Sequence, residues 1–421
     1  MERYSEYKDS GVQWLGEIPR HWKTVRVKAL LSERVDKSDT GLEEPLSMSQ
    51  KYGIIPTREM DVVPNMASTY IGAKRVFKQD LVFNKLKAHL GVFAISKYDG
   101  LVSPDYAVYT PNERTYLPFM EYVFHTPLYI GEFTRKATGV AIGLTRLYTN
   151  GLFAVPFLYP PLSEQHSIVS YLDDKCAKID KMLEGKQKQI ELLAEMKQRI
   201  IADAVTRGLN PDVKMKATNI PWLPEIPEHW EEQRMATLFT GDIEVNKDFE
   251  YKRAFKFNYG QLVSKNEIGE PEDYREVYVK YSKIKQGDIL VNGLNLNYDF
   301  ISQRVACAPS DGIITSAYVV CRPRKDVNYE YYTYLFKGMD SMKLFHGMGT
   351  GIRLTLSFKE MKKQILPIPP HSEQHDIVSY IKERSAKIDI LTSKLQQEIE
   401  SIKEYKQRLI SDVVTGQIKV C

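Results

Sequence analysis
A few groupings of residues in this chain could carry chemistry, and each can be held against what that chemistry requires. His371 and His375 have the H-x-x-x-H spacing that puts two imidazoles on one helical face, as a metal site would need. Gly347-Met348-Gly349-Thr350-Gly351 is a glycine-rich loop, yet no strand with a following acidic residue frames it as a phosphate cradle. No G-x-x-x-x-G-K occurs, and neither Pro104-Asp105 nor Pro211-Asp212 is read as having, some tens of residues further on, the Glu-x-Lys that a nuclease of that type requires. An amino-methyltransferase would hold its target amine with an Asn/Asp-Pro-Pro-aromatic tetrad, but Pro160-Pro161 and Pro369-Pro370 follow Tyr159 and Ile368. Cys176, Cys307, Cys321 and Cys421 lie far apart, without C-x-x-C spacing, and read as reduced thiols. No catalytic residue and no metal site are expected.

The elements that would position any site come in two copies. Trp14-Leu15-Gly16-Glu17-Ile18-Pro19-Arg20-His21-Trp22 returns as Trp222-Leu223-Pro224-Glu225-Ile226-Pro227-Glu228-His229-Trp230, matching at seven of nine positions. Ser163-Glu164-Gln165-His166 returns as Ser372-Glu373-Gln374-His375, Ala-Lys-Ile-Asp recurs at 177–180 and 386–389, and Lys197-Gln198-Arg199 as Lys406-Gln407-Arg408. One offset, 208 to 209, relates all of these blocks. His371 aligns with Leu162, so of the two histidines only His375 has a counterpart, His166, and packing or capping explains that pair better than a metal.

Each half therefore runs from a tryptophan motif through a variable body to a tail. The tails place apolar residues at alternating steps of three and four, through Leu172, Cys176, Ile179 and Leu183 in one and Ile381, Ser385, Ile388 and Leu395 in the other. That is the spacing of a coiled-coil seam. Each tail starts after a proline pair, with a serine placed to cap the first turn, and stops near a glycine, Gly208 or Gly416. About 45 residues of helix would be on the order of 65 Å long. One apolar stripe on so long a helix needs a partner, and the nearest is its own repeat. Gly185 either kinks the first tail or is a surface glycine that packing tolerates. The bodies read as mixed α/β, with strands expected at 78–83 and 285–291 and at 106–109 and 317–320, and helices near 117–126 and 329–338.

At 421 residues, 43% hydrophobic and 27% charged, the chain is long enough for more than one domain and able to bury a core. No apolar stretch approaches the roughly 18 residues of a membrane span, and the first residues lack an apolar signal core, so a cytoplasmic protein with no membrane partner is expected. A net charge of +4, from 58 basic and 54 acidic residues, suits an anionic partner without requiring one.

The doubled order of Trp-Leu-x-Glu-Ile-Pro-x-His-Trp, variable body, Pro-Pro-x-Ser-Glu-Gln and a long helix ending near Lys-Gln-Arg resembles the specificity subunit of type I restriction-modification systems, over essentially the whole chain. The segments Asn84 to Gly91, Leu101 to Tyr106 and Thr138 to Leu147 also look like that family. The second body departs from them, with Asn292-Gly293-Leu294-Asn295 where the first has Asn84-Lys85-Leu86-Lys87. The resemblance implies an α+β, mixed α/β fold: two target recognition domains separated by two long helices that form an antiparallel coiled coil, with an internal pseudo-two-fold repeat. The corresponding boundaries are 1–162 and 208–371 for the recognition domains, 163–207 and 372–415 for the helices, and 416–421 for a tail. Double-stranded DNA and two methyltransferase subunits would be the partners, with two motor-nuclease subunits joining for cleavage. S-adenosylmethionine would be used on the partner subunits, with no cofactor in this chain. Two related modules on a spacer imply a split target with half-sites about one helical turn, ~34 Å, apart. The rival readings are a coiled-coil scaffold that binds no DNA and, further off, a fused methyltransferase or nuclease.

Basic clusters supply the candidate DNA contacts. Between Ile71 and Lys97, the residues Lys74, Arg75, Lys78, Lys85, Lys87 and Lys97 face a single acid, Asp80. Lys74, Arg75, Lys85 and Lys87 are taken as contacts, together with a second cluster of Arg135, Lys136 and Arg146. In the second body the matching polar set is Asn292, Asn295, Asn297, Arg304, Arg353 and Lys359. Lysines suit phosphates, whereas asparagine and arginine can pair bidentately with adenine and guanine.

Overall fold
The computed structural model describes residues 2–61, 69–139, 145–265, 269–300, 303–351 and 354–420, apart from the His89 side chain. The chain forms two compact units, one of residues 1–186 with 397–421 and one of 187–396.

In the first unit, β1 (Leu31–Arg34), β2 (Leu81–Asn84), β3 (Phe93–Ile95) and β4 (Tyr106–Pro111) form an antiparallel sheet in the order β1-β4-β2-β3. Its central strands are mainly apolar because both faces are covered. Leu81, Phe83, Ala107 and Tyr109 point into one core, Val82 and Val108 into another, as the two-residue period of a strand requires. Helices α1 (Leu117–Phe124) and α2 (Pro127–Lys136) close the first core, where Phe83 stacks on Phe93 with centroids 4.5 Å apart. Phe83 and Phe93, which lie within the basic stretch of 71–97, thus serve the core. Its one acid, Asp80, is buried against Arg34, which donates to both carboxylate oxygens at 2.9 and 3.0 Å. The body closes where Lys23–Arg26, the strand after the tryptophan motif, pairs with Pro156–Tyr159 just before the first long helix, α3 (Leu162–Arg207).

The second unit repeats the plan. β5 (Phe239–Thr240), β6 (Ile289–Val291), β7 (Val305–Cys307) and β8 (Val319–Pro323) pair antiparallel in the order β5-β8-β6-β7, the same order as before. α4 (Tyr329–Ser341) and α5 (Leu344–Met348) cover it, and Glu231–Arg234 pairs with Ile365–Ile368 ahead of the second long helix, α6 (His371–Val414).

The repeated motifs find their reason in these contacts. Glu164 accepts from Trp22 Nε1 at 3.1 Å and lies 2.8 Å from His21 Nε2; Glu373 accepts from Trp230 Nε1 at 3.0 Å and lies 2.7 Å from His229 Nε2. The tryptophan motif is therefore fastened to the first turn of the long helix that follows its body. The helices begin one residue earlier than expected, so Ser163 and Ser372 sit inside the first turn. Instead of a serine cap, Gln165 and Gln374 donate to the carbonyls of Pro160 and Pro369, both at 2.9 Å. α3 runs through Gly185 without a break, and the glycine has open space around it.

Pairing of the two long helices is antiparallel. In the first unit Lys186 meets Glu398 and Lys406 meets Asp180, so one helix advances as the other recedes. In the second unit Lys197 Nζ bridges both oxygens of Asp389 at 2.7 and 2.8 Å. The lysine of each Lys-Gln-Arg block thus pairs with the aspartate of the other copy's Ala-Lys-Ile-Asp block. Pairs this exposed contribute about 0.2–1 kcal/mol each, so they select register rather than supply stability. Stability comes from the seam, in which Leu172, Cys176, Ile381, Ile388, Ile399, Leu409 and Val413 are buried.

Candidate nucleic-acid interface
In the first unit, cationic residues from distant parts of the sequence meet around the turn after β2. Asn84 Oδ1 accepts from Leu86 N at 3.1 Å, an Asx turn that starts a one-turn 3-10 helix, Ala88–Leu90, against α2. Leu147 N donates to Lys85 O at 3.0 Å, and Thr138 and Arg146 exchange backbone hydrogen bonds at 3.0 and 2.8 Å. These contacts bring Lys85 and Lys87, the end of α2 with Arg135 and Lys136, and Arg146 to one place. Lys87 and Arg135 are exposed, and Lys85, Lys136 and Arg146 are partly so. Arg146 has Asp105 as a loose partner at 3.8 Å, while Arg135 is forked onto the buried carboxylate of Glu132 at 2.7 and 2.8 Å. That fork orients Arg135 and raises its already high pKa.

The remaining two basic residues of the first set are engaged by groups of the protein itself. Lys74 Nζ donates to Tyr106 O at 2.8 Å, and its pKa is lowered by burial and by the neighbouring charges of Lys85 and Lys37. Arg75 is held by Glu43 at 2.9 Å and Asp36 at 3.2 Å, and the Arg75 and Ser38 contacts lower the Glu43 carboxyl to about 2. Both secure the strand Lys74–Val76 to its surroundings. Lys37, absent from the sequence expectation, pairs its backbone with Lys74, and Glu33 lies 3.8 Å from Lys74 Nζ.

The second unit uses the same backbone device with different side chains. Asn292 Oδ1 accepts from Leu294 N at 3.2 Å, as Asn84 does from Leu86. Leu356 N donates to Gly293 O at 2.9 Å, as Leu147 does to Lys85, and Thr350 and Thr355 exchange backbone bonds like Thr138 and Arg146. The position that carries Arg146 in one half is Thr355 in the other. Arg353 lies outside the described residues, as do residues 140–144 of the first segment.

Arg304 corrects the expectation of a surface contact. Its side chain is fully buried, and the guanidinium donates to the carbonyls of Asn292 at 3.0 Å, Leu294 at 2.8 Å and Asp299 at 2.6 Å. It therefore shapes the 292–299 loop from within. Asn292 has its carboxamide oxygen committed to the turn, and Asn297 Oδ1 is buried with no partner among the described residues. Asn295, in the left-handed region at φ 51°, and Lys359 are exposed. Two aromatic residues not anticipated from the sequence project from this loop: Tyr298, 78% exposed, and Phe300, which stacks on His346 at 4.7 Å. Their only sequence signal was large aromatic residues inside an asparagine-rich turn.

The other groupings that suggested chemistry have structural roles. His166 packs on the Tyr116 ring at 3.8 Å between centroids. A Glu-x-Lys does follow Pro211-Asp212, at Glu250-Tyr251-Lys252, but Glu250 is bound by Lys283 and Lys252 by Glu272. Cys176, Cys307 and Cys321 are free thiols. Among the described residues no cluster of His, Cys, Asp and Glu is placed to hold a metal, and no helix is long and apolar enough to cross a membrane.

Two α/β bodies closed by antiparallel long helices define the class: this is the fold of type I restriction-modification specificity subunits. A chain from a structure of complex assembly and conformational transition in a type I R-M system matches 95% of this chain and 99% of itself, with a TM-score of 0.66 at 14% identity. The HsdS subunit from Thermoanaerobacter tengcongensis matches 95% of this chain and 98% of itself, with a TM-score of 0.50 at 15% identity. Residues 247–401 match the type I restriction modification DNA specificity domain. The specificity subunit of type I restriction enzyme EcoBI from Escherichia coli is 23% identical over 279 residues, covering 62% of this chain and 57% of that subunit, so the match spans little more than half of the relative. The putative type I restriction enzyme MjaX specificity subunit of Methanocaldococcus jannaschii is 21% identical over 438 residues, 96% of each chain. The resemblance to specificity subunits read from the doubled motifs is borne out.

Proposed function
We propose that this chain is the non-catalytic, DNA sequence-recognition subunit of a type I restriction-modification complex. Each body reads one part of an asymmetric, gapped target. The paired helices fix the gap and carry two methyltransferase subunits, which use S-adenosylmethionine to methylate adenine; two motor-nuclease subunits join the complex for cleavage. The observation that carries this reading is the shared turn: one scaffold presents Lys85, Lys87 and Arg146 in one half and Asn295, Tyr298 and Thr355 in the other. Keeping the frame while changing the presented side chains is what reading two different half-sites demands.

Single-molecule sequencing of methylated adenines in the source genome tests it. A split, asymmetric motif should be present and should vanish when this chain is deleted. Methylation that persists unchanged, or a palindromic motif, overturns the reading. On that site, Arg146→Ala is expected to lose about 1–3 kcal/mol of discrimination at one half-site only. Lys85→Ala should instead weaken binding to all sequences and reduce the slope of log K against log salt by about one. Binding isotherms on site variants at several salt concentrations separate the two, and equal losses at both half-sites for Arg146→Ala would remove it from base reading.

A further inference from the structure
The turn that presents side chains in the second body is longer than its counterpart in the first. Asn84 N donates to Val92 O at 3.0 Å and Asn292 N to Arg304 O at 2.8 Å, so the same bond closes both loops, with seven residues inside the first and eleven inside the second. The longer loop carries Tyr298, 78% exposed, and Phe300, 54% exposed, two positions apart. The shorter one contains no Phe, Tyr or Trp, and its large exposed apolar side chain is Leu90.

Phe300 is braced. Its ring stacks on the His346 imidazole at 4.7 Å with 15° between the planes, and His346 Nε2 donates to the Asp299 carbonyl at 3.1 Å. Arg304, standing where the first body has Val92, donates to that same carbonyl at 2.6 Å. One face of the ring is therefore covered by histidine, while more than half of the residue meets solvent. The first unit uses a histidine in a similar way with the opposite result. His125 contacts Gly91 O at 3.3 Å and lies on Phe93 at 4.2 Å, but Phe93 is buried and belongs to the core. Fixing an aromatic side chain and leaving it in water costs conformational entropy without the burial that normally offsets it. That burial has to come from a partner, and Phe300 shares its loop with Asn295, an exposed candidate for base reading.

We propose that Phe300, backed by His346 and flanked by Tyr298, is a wedge that enters the base stack at the half-site read by the second body. The proposal rests on the DNA-reading assignment and adds a mechanism to it: part of the second body's selectivity comes from how easily a base step unstacks. Apolar side chains inserted between base steps unstack them and kink the duplex, and pyrimidine–purine steps yield most readily. Such a step is therefore expected in or beside that half-site. The first body, whose turn presents Lys85 and Lys87, should hold its half-site without opening it.

Aminopurine, a fluorescent adenine analogue quenched by stacking, tests the wedge. It replaces adenines other than the methylated ones, in and beside each half-site of the mapped target, and the duplex is bound by the full-length chain together with its methyltransferase subunits. A severalfold rise in fluorescence is expected in one half-site and none in the other. Phe300→Ala should abolish the rise and weaken specific binding about fivefold or more, the value of one lost base–aromatic stack, with non-specific binding unchanged. Tyr298→Ala should reduce the rise, Phe300→Trp should retain it, and Leu90→Ala should leave both half-sites as they were. Should Phe300→Ala fail to fold, Phe300→Gln and Tyr298→Ala carry the test. Specific binding without a rise at either half-site overturns the proposal, as does a rise that Phe300→Ala and Tyr298→Ala both leave intact. Loss of a methyltransferase subunit from the Phe300→Ala complex, read by native mass spectrometry, would assign the ring to a protein partner and overturn it too. Absence of sequence-specific binding sinks the DNA-reading assignment and the wedge together, and binding isotherms tell that failure from a loss of fluorescence alone.

Discussion
If each body reads one half-site, as proposed, replacing Arg304 by methionine is expected to abolish recognition by the second body while leaving the first body's half-site recognised. The buried guanidinium donates to the carbonyls of Asn292, Leu294 and Asp299, and these three hydrogen bonds give the loop its form. Methionine has a similar length and no donor, so the carbonyls lose the partners that hold them on the inner side of the loop. Each orphaned acceptor costs about 1–3 kcal/mol, and breaking a buried charged network costs about 3–5 kcal/mol as a whole. The loop is then expected to rearrange, and Asn295 and Tyr298 move with it. Lysine should not rescue, because one ammonium cannot span three acceptors that a planar fork reaches together. Urea denaturation gives the stability loss and isotherms on half-site variants give the recognition loss. A methionine variant with native stability and native discrimination at both half-sites would show that the guanidinium does not shape the reading loop.

Arg304 also shows where sequence reasoning reaches its limit. An arginine near asparagines in a polar loop has the composition of a DNA contact, and only the placement of carbonyls at 292, 294 and 299 around it turns it inward. Arg75 and Lys74 behave the same way, because their acceptors Glu43, Asp36 and the Tyr106 carbonyl lie some 30 or more residues away in sequence. The large elements were legible because they depend on local period and on repetition. The coiled-coil seam lies in two continuous stretches, and the sheet strands are apolar runs. What the repeat could not disclose was which repeated residues touch. The match of Lys197 with Asp389 and of Lys406 with Asp180 pairs each block with a different block of the other copy, a relation that alignment of the halves by itself does not contain. Convergence of Lys85 with Arg146 was hidden for the same reason, since a backbone bond from Leu147 to Lys85 leaves no trace in residue type.

The second large effect concerns the tryptophan motif, and it distinguishes a packing role from a fastening role. Trp230 is fully buried, its Nε1 donates to Glu373 on the first turn of α6, and its ring stands against Gly208 at the end of α3. Trp22 repeats this with Glu164 and with Gly416 at the end of α6. Trp230→Ala should destabilise the chain by about 3–5 kcal/mol, since a large cavity opens where three segments meet. Trp230→Phe keeps most of the apolar contact and removes the donor, so a loss of about 1.5–3 kcal/mol is expected from the missing hydrogen bond to a charged group, with His229 still in contact with Glu373. Glycine is required beside the indole for a separate reason. Gly416 has φ +75°, and a Cβ there would come within 2.5 Å of the Pro19 ring, so Gly416→Ala combines a left-handed backbone penalty of about 1–2 kcal/mol with a direct clash. Chemical denaturation of the three variants orders them. If Trp230→Phe is neutral while Trp230→Ala is costly, the motif acts by packing alone and the bond to Glu373 is incidental. If both are costly in the expected ratio, the shared glutamate is what fastens each body to its helix, which explains why tryptophan, glutamate and the terminal glycine recur together in the two halves.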